Sequence, residues 1–514
     1  MKFSTSIGAN NLFVHAGILM LTLVCALVAA QGELKFIVLV LGLIIAPLPI
    51  LSPASKVLVW TLVLNFFIVG MVRYFGRFEQ MHWVTELLFA ALLIRLPFDM
   101  LAYEHRNRQQ SLTFVFIFLL SFCVITLLST AINQSPIQQA ILGLKHYLFP
   151  LGLTTLIAYG SITPGLWLKI WRCIPLFMII QLPIALYQYF FIAKYRAEQN
   201  FVEGLIAWDA IVGSFGGDPD GGGASGALGL FLCFGIVATI AMYRNKLISG
   251  LLTVIACLSA ILVIMIGEVK AVIIFLPLGF LAYQRHKVFS SISTAILWLG
   301  GTLIFIPSVL LLYGSMHYSE AGHTVNSLND IIALTLKTES DPEAYNRVTG
   351  ELSRINALRI WWQENMTRGD YLNTIFGHGP AASEISQNFG PGAAAKNYPF
   401  IINTSSLAGI LWDLGLLGAF AIIATLAATA LSAFSTANIW AKTDPALNAI
   451  YEACGVGALL LIIDLPYDLS ISMWSPVQSL MAIIFALVLT ANQFFKPSHH
   501  TKYNPLLTPK SGVL

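Results

Sequence analysis

The sequence predicts an all-α polytopic integral membrane protein with about 12–14 transmembrane helices. Two observations lead to this prediction. Of the 514 residues, 57% are hydrophobic and only 10% are charged, whereas charged residues make up about a quarter of a typical soluble domain. In addition, apolar segments of about 20 residues recur along the chain, and a helix of that length can cross a bilayer.

The predicted helices follow one another with two long polar interruptions. Their centres lie near residues 20, 43, 65, 91, 122, 150, 182, 233, 256, 276, 301, 418, 458 and 483. The chain therefore divides into a transmembrane bundle (1–314), a large loop (315–402), the C-terminal transmembrane helices (403–495) and a tail (496–514). A shorter polar loop at 193–223 interrupts the first bundle. We call the large loop the insert.

The basic residues of the short loops predict the direction in which the chain crosses the membrane. Lysine and arginine in such loops favour the cytoplasmic side. A cytoplasmic N-terminus puts most of them inside, including Lys496 in the tail, so we expect both termini in the cytoplasm. Arg73 and Arg77 are exceptions, because they fall on the outer side. The shorter loop and the insert then both lie on the outer face of the membrane. The apolar stretch at 11–30 is long for a signal peptide, so it is predicted to remain as the first helix.

Composition and location disfavour several classes of function. The net charge is only +3 and the basic residues form no stripe, so we expect no nucleic-acid partner. The six cysteines lie in apolar segments without a CxxC pair, so disulfides and structural zinc are not expected. Outside the cytoplasm there is no ATP and no nucleotide sugar. A synthetic reaction there must use a substrate already activated on the membrane, such as a lipid-linked pyrophosphate.

The insert carries a concentration of arginine that the rest of the chain lacks. Arg347, Arg354, Arg359 and Arg368 precede the turn Phe-Gly-His-Gly-Pro at 376–380. The planar donor fork of arginine suits phosphate oxygens better than lysine does, so these side chains are candidates for binding a pyrophosphate. The alternative is that they reach lipid phosphates from a helix on the membrane surface.

Arg347, Arg354 and Arg359 fall on a predicted amphipathic helix from Pro342 to about Asn365. Apolar residues recur at helical spacing and form one stripe. The stripe consists of Leu352, Ile355, Leu358 and Trp362. We expect this helix to lie along the membrane surface, with Trp361 and Trp362 at the level of the lipid headgroups.

The glycine-rich turn that follows offers a second type of anion contact. Gly377 and Gly379 have no side chains to block the approach of an anion to the backbone N–H groups of the turn. His378 lies between them and is a candidate general base, because imidazole titrates near neutral pH. The alternative is that His378 is an ordinary surface residue in a turn that ends a helix.

Charged residues also occur near the ends of predicted spans. Such residues are functional candidates, because burying charge in hydrocarbon costs free energy. Lys270 and Lys145 either contribute positive charge to an anion site or pair with a neighbour, which for Lys270 is Glu268. Asp464 and Asp468 either line the same cavity or satisfy neighbouring helices. The shorter loop is rich in aspartate and glycine but lacks the spacing of an EF-hand, so it is predicted to be a flexible gate.

At these residues the chain resembles the O-antigen ligase and Wzy-type polymerase superfamily of bacterial cell-surface glycan assembly. The similar features are the multi-helix body, the late outer loop and the Arg-rich helix that leads into the glycine turn. Arg368 and Gly379 also have the ten-residue separation of the arginine–glycine pattern in Wzy polymerases. The chain departs from the family at Ile402, where ligases typically carry histidine, and at Lys270, where members often carry arginine.

The resemblance implies a GT-C-like fold and glycosyl transfer on the outer face of the bacterial inner membrane, without metal or cofactor. The implied substrate is an oligosaccharide on undecaprenyl pyrophosphate, and the implied partners are membrane lipids, a flippase and a chain-length regulator. The departure at Ile402 favours a polymerase of repeat units. The alternatives are a ligase-type glycan transferase and, more distantly, a transporter or lipid flippase. The implied catalytic residues are His378, Arg368 and Glu364. The implied pyrophosphate-binding residues are Arg347, Arg354, Arg359, Lys270, Lys145, Gly377 and Gly379.

Overall fold

The computed structural model of this chain describes most of the sequence between residues 47 and 491. The described ranges are 47–104, 113–160, 162–198, 207–218, 224–267, 269–313, 350–386 and 390–491. The predicted helices near residues 20 and 43, the residues Arg347 and Glu268, and the tail from residue 496 lie outside these ranges.

The described chain is almost wholly helical. Its α-helices are α1 (Pro47–Leu51), α2 (Ala54–Val63), α3 (Val69–Phe75), α4 (His82–Glu104), α5 (Phe114–Ile132), α6 (Ile137–Tyr147), α7 (Leu151–Tyr159), α8 (Pro164–Gln188), α9 (Lys194–Glu198), α10 (Ser225–Arg244), α11 (Gly250–Ile266), α12 (Val272–Ser290), α13 (Ile292–Tyr313), α14 (Arg354–Trp361), α15 (Tyr371–Phe376), α16 (Ser406–Trp440), α17 (Pro445–Asp464), α18 (Ser470–Met473) and α19 (Ser475–Leu489). Two short strands, β1 (Ile385–Ser386) and β2 (Gly390–Pro391), pair antiparallel within the insert.

Seven helices in the described ranges are long and apolar enough to cross a membrane, which confirms an all-α polytopic membrane protein. These spans are Ala54–Phe75, Phe114–Ile132, Pro164–Arg196, Ser225–Arg244, Ile292–Leu312, Ser406–Trp440 and Pro445–Asp464. The bent pair α6 and α7 makes an eighth if it counts as one span. The helices predicted near residues 91, 256, 276 and 483 form as α4, α11, α12 and α19, but they fall short of these limits of length or composition. The described part of the chain therefore contains 7 or 8 helices that meet these limits, fewer than the number of spans predicted for the whole chain.

The bend between α6 and α7 brings charged residues inside the protein. The two helices meet at 50° around Pro150. Proline has no N–H to donate, so α6 cannot continue through this position. The last turn of α6 holds Lys145 and His146, and both side chains are buried.

Burial separates the helices at the centre of the bundle from those at its edge. Almost all of α10 and α19 is buried, as expected of helices that are apolar around their whole circumference. The helix α13 is equally apolar but exposes most of its side chains. Apolar surface exposed to this extent is expected to face lipid rather than water.

One end of the bundle carries the described part of the insert, and we call it the insert end. Asn133 follows α5 and donates from Nδ2 to the carbonyl oxygen of Gly377 at 3.0 Å. Gln139 in α6 donates from Nε2 to the carbonyl oxygen of Pro380 at 3.3 Å. The insert is therefore fixed to the ends of two helices by contacts between residues that are 244 and 241 positions apart.

Candidate functional site

The helix of the insert is shorter than predicted. Residues 350–353 are not helical, and Glu351 forms a parallel bridge with Ile401. The helix α14 begins at Arg354, where Oγ of Ser353 accepts a hydrogen bond from the backbone N–H of Asn356 at 3.3 Å. The predicted helix is therefore wrong at residues 350–353, where Glu351 pairs with Ile401 instead. It is confirmed from Arg354 onward, where α14 continues into a π-helical segment at Trp362–Thr367.

The two tryptophans of the insert helix have different environments. Trp361 is buried, and its indole Nε1 donates to the carbonyl oxygen of Leu411 at 2.9 Å. Trp361 therefore does not face lipid headgroups, because its ring is packed inside the protein. Trp362 and Ile355 are exposed by 55% and 58%, so part of the predicted apolar stripe does face outward.

A break in α16 provides the docking site for the glycine turn. Gly415 has φ 68° and ψ −165°, which interrupts the helix and removes the usual donors to the carbonyl oxygens one turn earlier. The backbone N–H of His378 donates to the carbonyl oxygen of Trp412 at 2.8 Å. The N–H of Gly379 donates to the carbonyl oxygen of Asp413 at 3.1 Å. The turn thus replaces donors that α16 lacks.

This docking corrects the expected role of Gly377 and Gly379. The N–H of Gly377 donates to the carbonyl oxygen of Asn373 at 2.8 Å, so it does not face an anion, and neither does that of Gly379. A Cβ on Gly377 would overlap the backbone of Asp413, and one on Gly379 would overlap Oγ of Ser135. The two glycines serve the close approach of the insert to α16.

The side chain of Asp413 holds the segment after the turn. Asp413 is buried, and its Oδ2 accepts hydrogen bonds from the hydroxyl of Tyr147 and from the N–H of Ala381, both at 2.8 Å. Its Oδ1 accepts from the N–H of Ser383 at 2.8 Å. A residue of α16 therefore fixes the position of the next residue in the insert, Glu384.

Glu384 forms a short ion pair with His146. Nδ1 of His146 lies 2.8 Å from the carbonyl oxygen of Ser472, which can only accept, so Nδ1 carries a hydrogen. Nε2 lies 2.6 Å from Oε2 of Glu384. Burial alone would raise the pKa of Glu384, but the positive charges of His146 and Lys145 hold it below its usual value. The pair is therefore an imidazolium and a carboxylate.

Two further ionisable residues lie beside this pair. Lys145 is buried, and its Nζ lies 4.9 Å from the centre of the Trp83 ring. Glu86 is 3% exposed, and within the described ranges its Oε2 has no hydrogen-bond partner. We call Glu86, Lys145, His146 and Glu384 the histidine cluster. Of its members, only Lys145 is predicted from the sequence, although His146 is its direct neighbour.

Arg354 and Lys270 both interact with Tyr467, in the segment that joins α17 to α18. The guanidinium of Arg354 donates to the carbonyl oxygen of Tyr467 and lies 4.5 Å from the centre of its ring. Lys270 interacts electrostatically with Tyr467 as well. Asp464 at the end of α17 is fully buried, and neither of its carboxylate oxygens has a hydrogen-bond partner among the described residues. Two of the predicted cations therefore lie close to Tyr467, and Arg354 is also near Asp464.

Arg73 lies beside Trp474, the residue that separates α18 from α19. Its guanidinium lies 5.2 Å from the centre of the Trp474 ring. The charge of Arg73 interacts with those of Glu79 and Asp218. Nε of Arg73 has no hydrogen-bond partner in the described part of the chain. Arg73 is therefore held beside an aromatic ring at the end of a helix.

Three other predicted residues lie at the surface. Arg359 is exposed. The side chain of Arg368 is 72% exposed and pairs with Glu364, which is four residues earlier and 24% exposed. An exposed pair at this spacing contributes little to stability. These three residues are open to solvent and are not part of the histidine cluster.

His378 has a different environment from the one predicted. It is half-buried, and Nε2 lies 3.0 Å from Oδ1 of Asn365. Its ring lies 5.5 Å from the ring of Trp412. Burial lowers the pKa of His378, an effect that Asp370 partly opposes, so the imidazole is neutral at neutral pH. A neutral imidazole can act as a base, so its predicted role stays a prediction.

The shorter loop is not a flexible gate over its described part. Ile211–Gly217 is buried in the bundle. Oε1 of Gln188 accepts hydrogen bonds from the N–H groups of Val212 and Gly213 at 3.0 and 2.8 Å. Oε1 of Gln181 accepts from the N–H of Ser214 at 2.8 Å. This segment is therefore part of the packed core, because two glutamines satisfy its backbone.

No protein-family profile matches the chain, and a comparison with curated proteins finds no significant sequence similarity. Among the described residues, no three histidine, cysteine, aspartate or glutamate side chains are grouped as ligands of a metal ion. The arrangement at the insert end nevertheless combines fixed positive charge with a partly accessible carboxylate. Those are the groups that a transfer reaction with an anionic leaving group requires.

Proposed function

We propose that this chain is a metal-independent membrane glycosyltransferase of the bacterial inner membrane. It polymerises oligosaccharide repeat units carried on undecaprenyl pyrophosphate, on the periplasmic face, to make exopolysaccharide, capsule or O-antigen. The observation that carries this proposal is the convergence of cations from separate parts of the chain on residues 465–474. Arg354 and Lys270 act on Tyr467, and Arg73 lies over Trp474.

The positions of these cations suit the chemistry of the proposed reaction. The sugar leaves a lipid pyrophosphate, on which negative charge grows as the bond breaks. Fixed cations that face this charge lower the barrier most effectively where water is largely excluded. Arg354, Lys270 and Arg73 lie at the end of a membrane bundle, where the headgroup of a lipid-linked substrate would be. All three cations are half-buried, so they are partly shielded from water.

The polymerase reaction is favoured over the ligase reaction by the environment of residue 402. Ligases of the family that the chain resembles typically carry histidine there. In this chain Ile402 is fully buried in the core of the insert end. A residue at this position would not reach a substrate in this chain. The two reactions share the donor and differ only in the acceptor, which for a polymerase is a second lipid-linked repeat unit.

The first test is the length of the surface glycan in cells whose chromosomal copy carries Arg354→Ala. We expect long chains to disappear and single repeat units to remain on the final acceptor, because the loss of one such cation slows transfer by roughly 10²–10³-fold. Lys396→Ala is the matched control, since Lys396 is an exposed cation of the same insert. It should leave the length profile unchanged.

Two results would count against this proposal. Polymer of normal length that accumulates on its lipid carrier would identify a ligase. An unchanged profile in Arg354→Ala, with the protein present in the membrane at its normal level, would argue against both glycosyl transfer reactions. It would leave the transporter or flippase as the remaining candidate.

A further inference from the structure

We propose that Glu384 is the general base of the transfer reaction and that His146 holds it in place for this role. The inference rests on the proposed function, since it assigns the group that activates the sugar hydroxyl of the acceptor. Neither residue stands out in the sequence, and the structure brings them together from α6 and the insert.

The hydrogen bonds of His146 and the ionised state of Glu384 together leave one arrangement of protons. Nδ1 faces a carbonyl oxygen at 2.8 Å and therefore donates. Nε2 faces Oε2 of Glu384 at 2.6 Å, and the proton between these two atoms completes the imidazolium. His146 cannot take a further proton in this state. Glu384 can, because its carboxylate is the base of the pair.

Access distinguishes Glu384 from the other carboxylate of the histidine cluster. The side chain of Glu384 is 13% exposed, while that of His146 is 6% exposed. Glu86 is 3% exposed and lies deeper, on α4. A hydroxyl that approaches the insert end can therefore reach Glu384, and His146 lies behind it.

The reaction balances with Glu384 as the only proton acceptor. The acceptor oxygen forms a bond to the anomeric carbon of the donor sugar, and the bond from that carbon to the pyrophosphate oxygen breaks. The proton of the hydroxyl passes to the carboxylate of Glu384, and the electron pair of the broken bond leaves with undecaprenyl pyrophosphate. Glu384 then releases its proton to water, which restores the ion pair with His146.

The backbone around Glu384 is fixed by several contacts. Asp413 accepts hydrogen bonds from the N–H groups of Ala381 and Ser383, and the N–H of Gly392 donates to the carbonyl oxygen of Glu384 at 2.8 Å. A base held in this way stays within reach of its substrate without reordering. Asp413 is therefore a positioning residue for Glu384.

The charges around Glu384 determine how the rate should depend on pH. His146 and Lys145 approach it from α6, and His82 and Glu86 approach it from α4. The cations keep the pKa of Glu384 below its usual value against the effect of burial. Glu384 therefore stays ionised at neutral pH. The rate should fall only when the pH drops below the ordinary range of a glutamate.

The first experiment measures the polymerisation rate of Glu384→Gln. Membranes that contain each variant are mixed with lipid-linked repeat units extracted from cells that lack this gene. We expect the rate at saturating substrate to fall by on the order of 10²–10⁴-fold with little change in KM, because the amide cannot take the proton. Glu384→Asp should keep part of the rate. Glu351→Gln, an exposed glutamate of the insert, is the matched control and should keep the full rate.

The second experiment measures the pH dependence of His146→Gln. Glutamine removes the positive charge beside Glu384, so burial dominates and the acid limb of the pH profile should move to higher pH. A purely structural role for His146 predicts a uniform loss of rate at all pH values, with the acid limb unchanged. That result, or full activity of Glu384→Gln, would overturn the assignment.

These outcomes are distinguishable from a failure of the proposed function. If wild-type membranes make no polymer from the extract, the polymerase proposal fails. If wild type, Glu351→Gln and Glu384→Gln all polymerise at the same rate, only the assignment of the base fails.

Discussion

Replacing Asp413 by alanine is expected to detach the insert from α16 and to lower the unfolding temperature more than any other single change in this region. The substitution leaves the hydroxyl of Tyr147 and the N–H groups of Ala381 and Ser383 without their acceptor. Each buried donor without a partner costs about 1–3 kcal/mol. The purified protein in detergent should therefore unfold at a clearly lower temperature, and protease should cut the insert more readily.

Asp444→Ala is a matched control for this prediction. Asp444 also accepts two backbone hydrogen bonds, from the N–H groups of Ala446 and Leu447 at 2.9 and 3.1 Å. It lies at the start of α17, however, where it caps one helix end. The loss of such a cap costs about 1 kcal/mol. Equal shifts in the two variants would contradict the role of Asp413 as the link between α16 and the insert.

Replacing Gly377 by alanine is expected to prevent the close approach of the glycine turn to α16. Gly377 has φ 73°, and its Cβ would overlap the backbone of Asp413, which cannot move aside. A left-handed conformation costs a residue with a side chain about 1–2 kcal/mol, and the overlap adds to this cost. We expect a large decrease in the unfolding temperature and loss of polymerisation.

Gly390 offers a control with almost the same backbone conformation. Its φ is 76°, but no atom lies within 4 Å of a Cβ built on it. Gly390→Ala should therefore show the conformational cost alone and keep its activity. If Gly377→Ala were no less stable than Gly390→Ala, the contact between the turn and α16 would not be close.

The sequence is informative about the fold because a bilayer restricts the choice of structure. A spanning segment must satisfy its own backbone hydrogen bonds, so apolar stretches become helices wherever they are long enough. The helix of the insert is harder to predict, since its start at Arg354 depends on the pairing of Glu351 with Ile401. The break in α16 is also hidden, because Gly415 lies within an apolar run where glycine is common.

The candidate site is predicted only in part, for a physical reason. Arg354 and Lys270 stand out because charge is rare in this chain, and both act on Tyr467. The pair of His146 and Glu384 is separated by 238 positions, and only tertiary packing brings the two residues together. Arg73 is likewise predicted to be an ordinary loop residue, because only the folded structure shows that Trp474 lies beside it.

The most direct test of the proposed polymerase function is polymerisation by the purified protein. The full chain in lipid nanodiscs is incubated with lipid-linked repeat units extracted from cells that lack this gene, and the products are separated by length. We predict a ladder of longer lipid-linked glycans, with one undecaprenyl pyrophosphate released for each bond formed, and no ladder with Arg354→Ala. If wild-type protein leaves the repeat units at their original length, the chain is not a polymerase of these units.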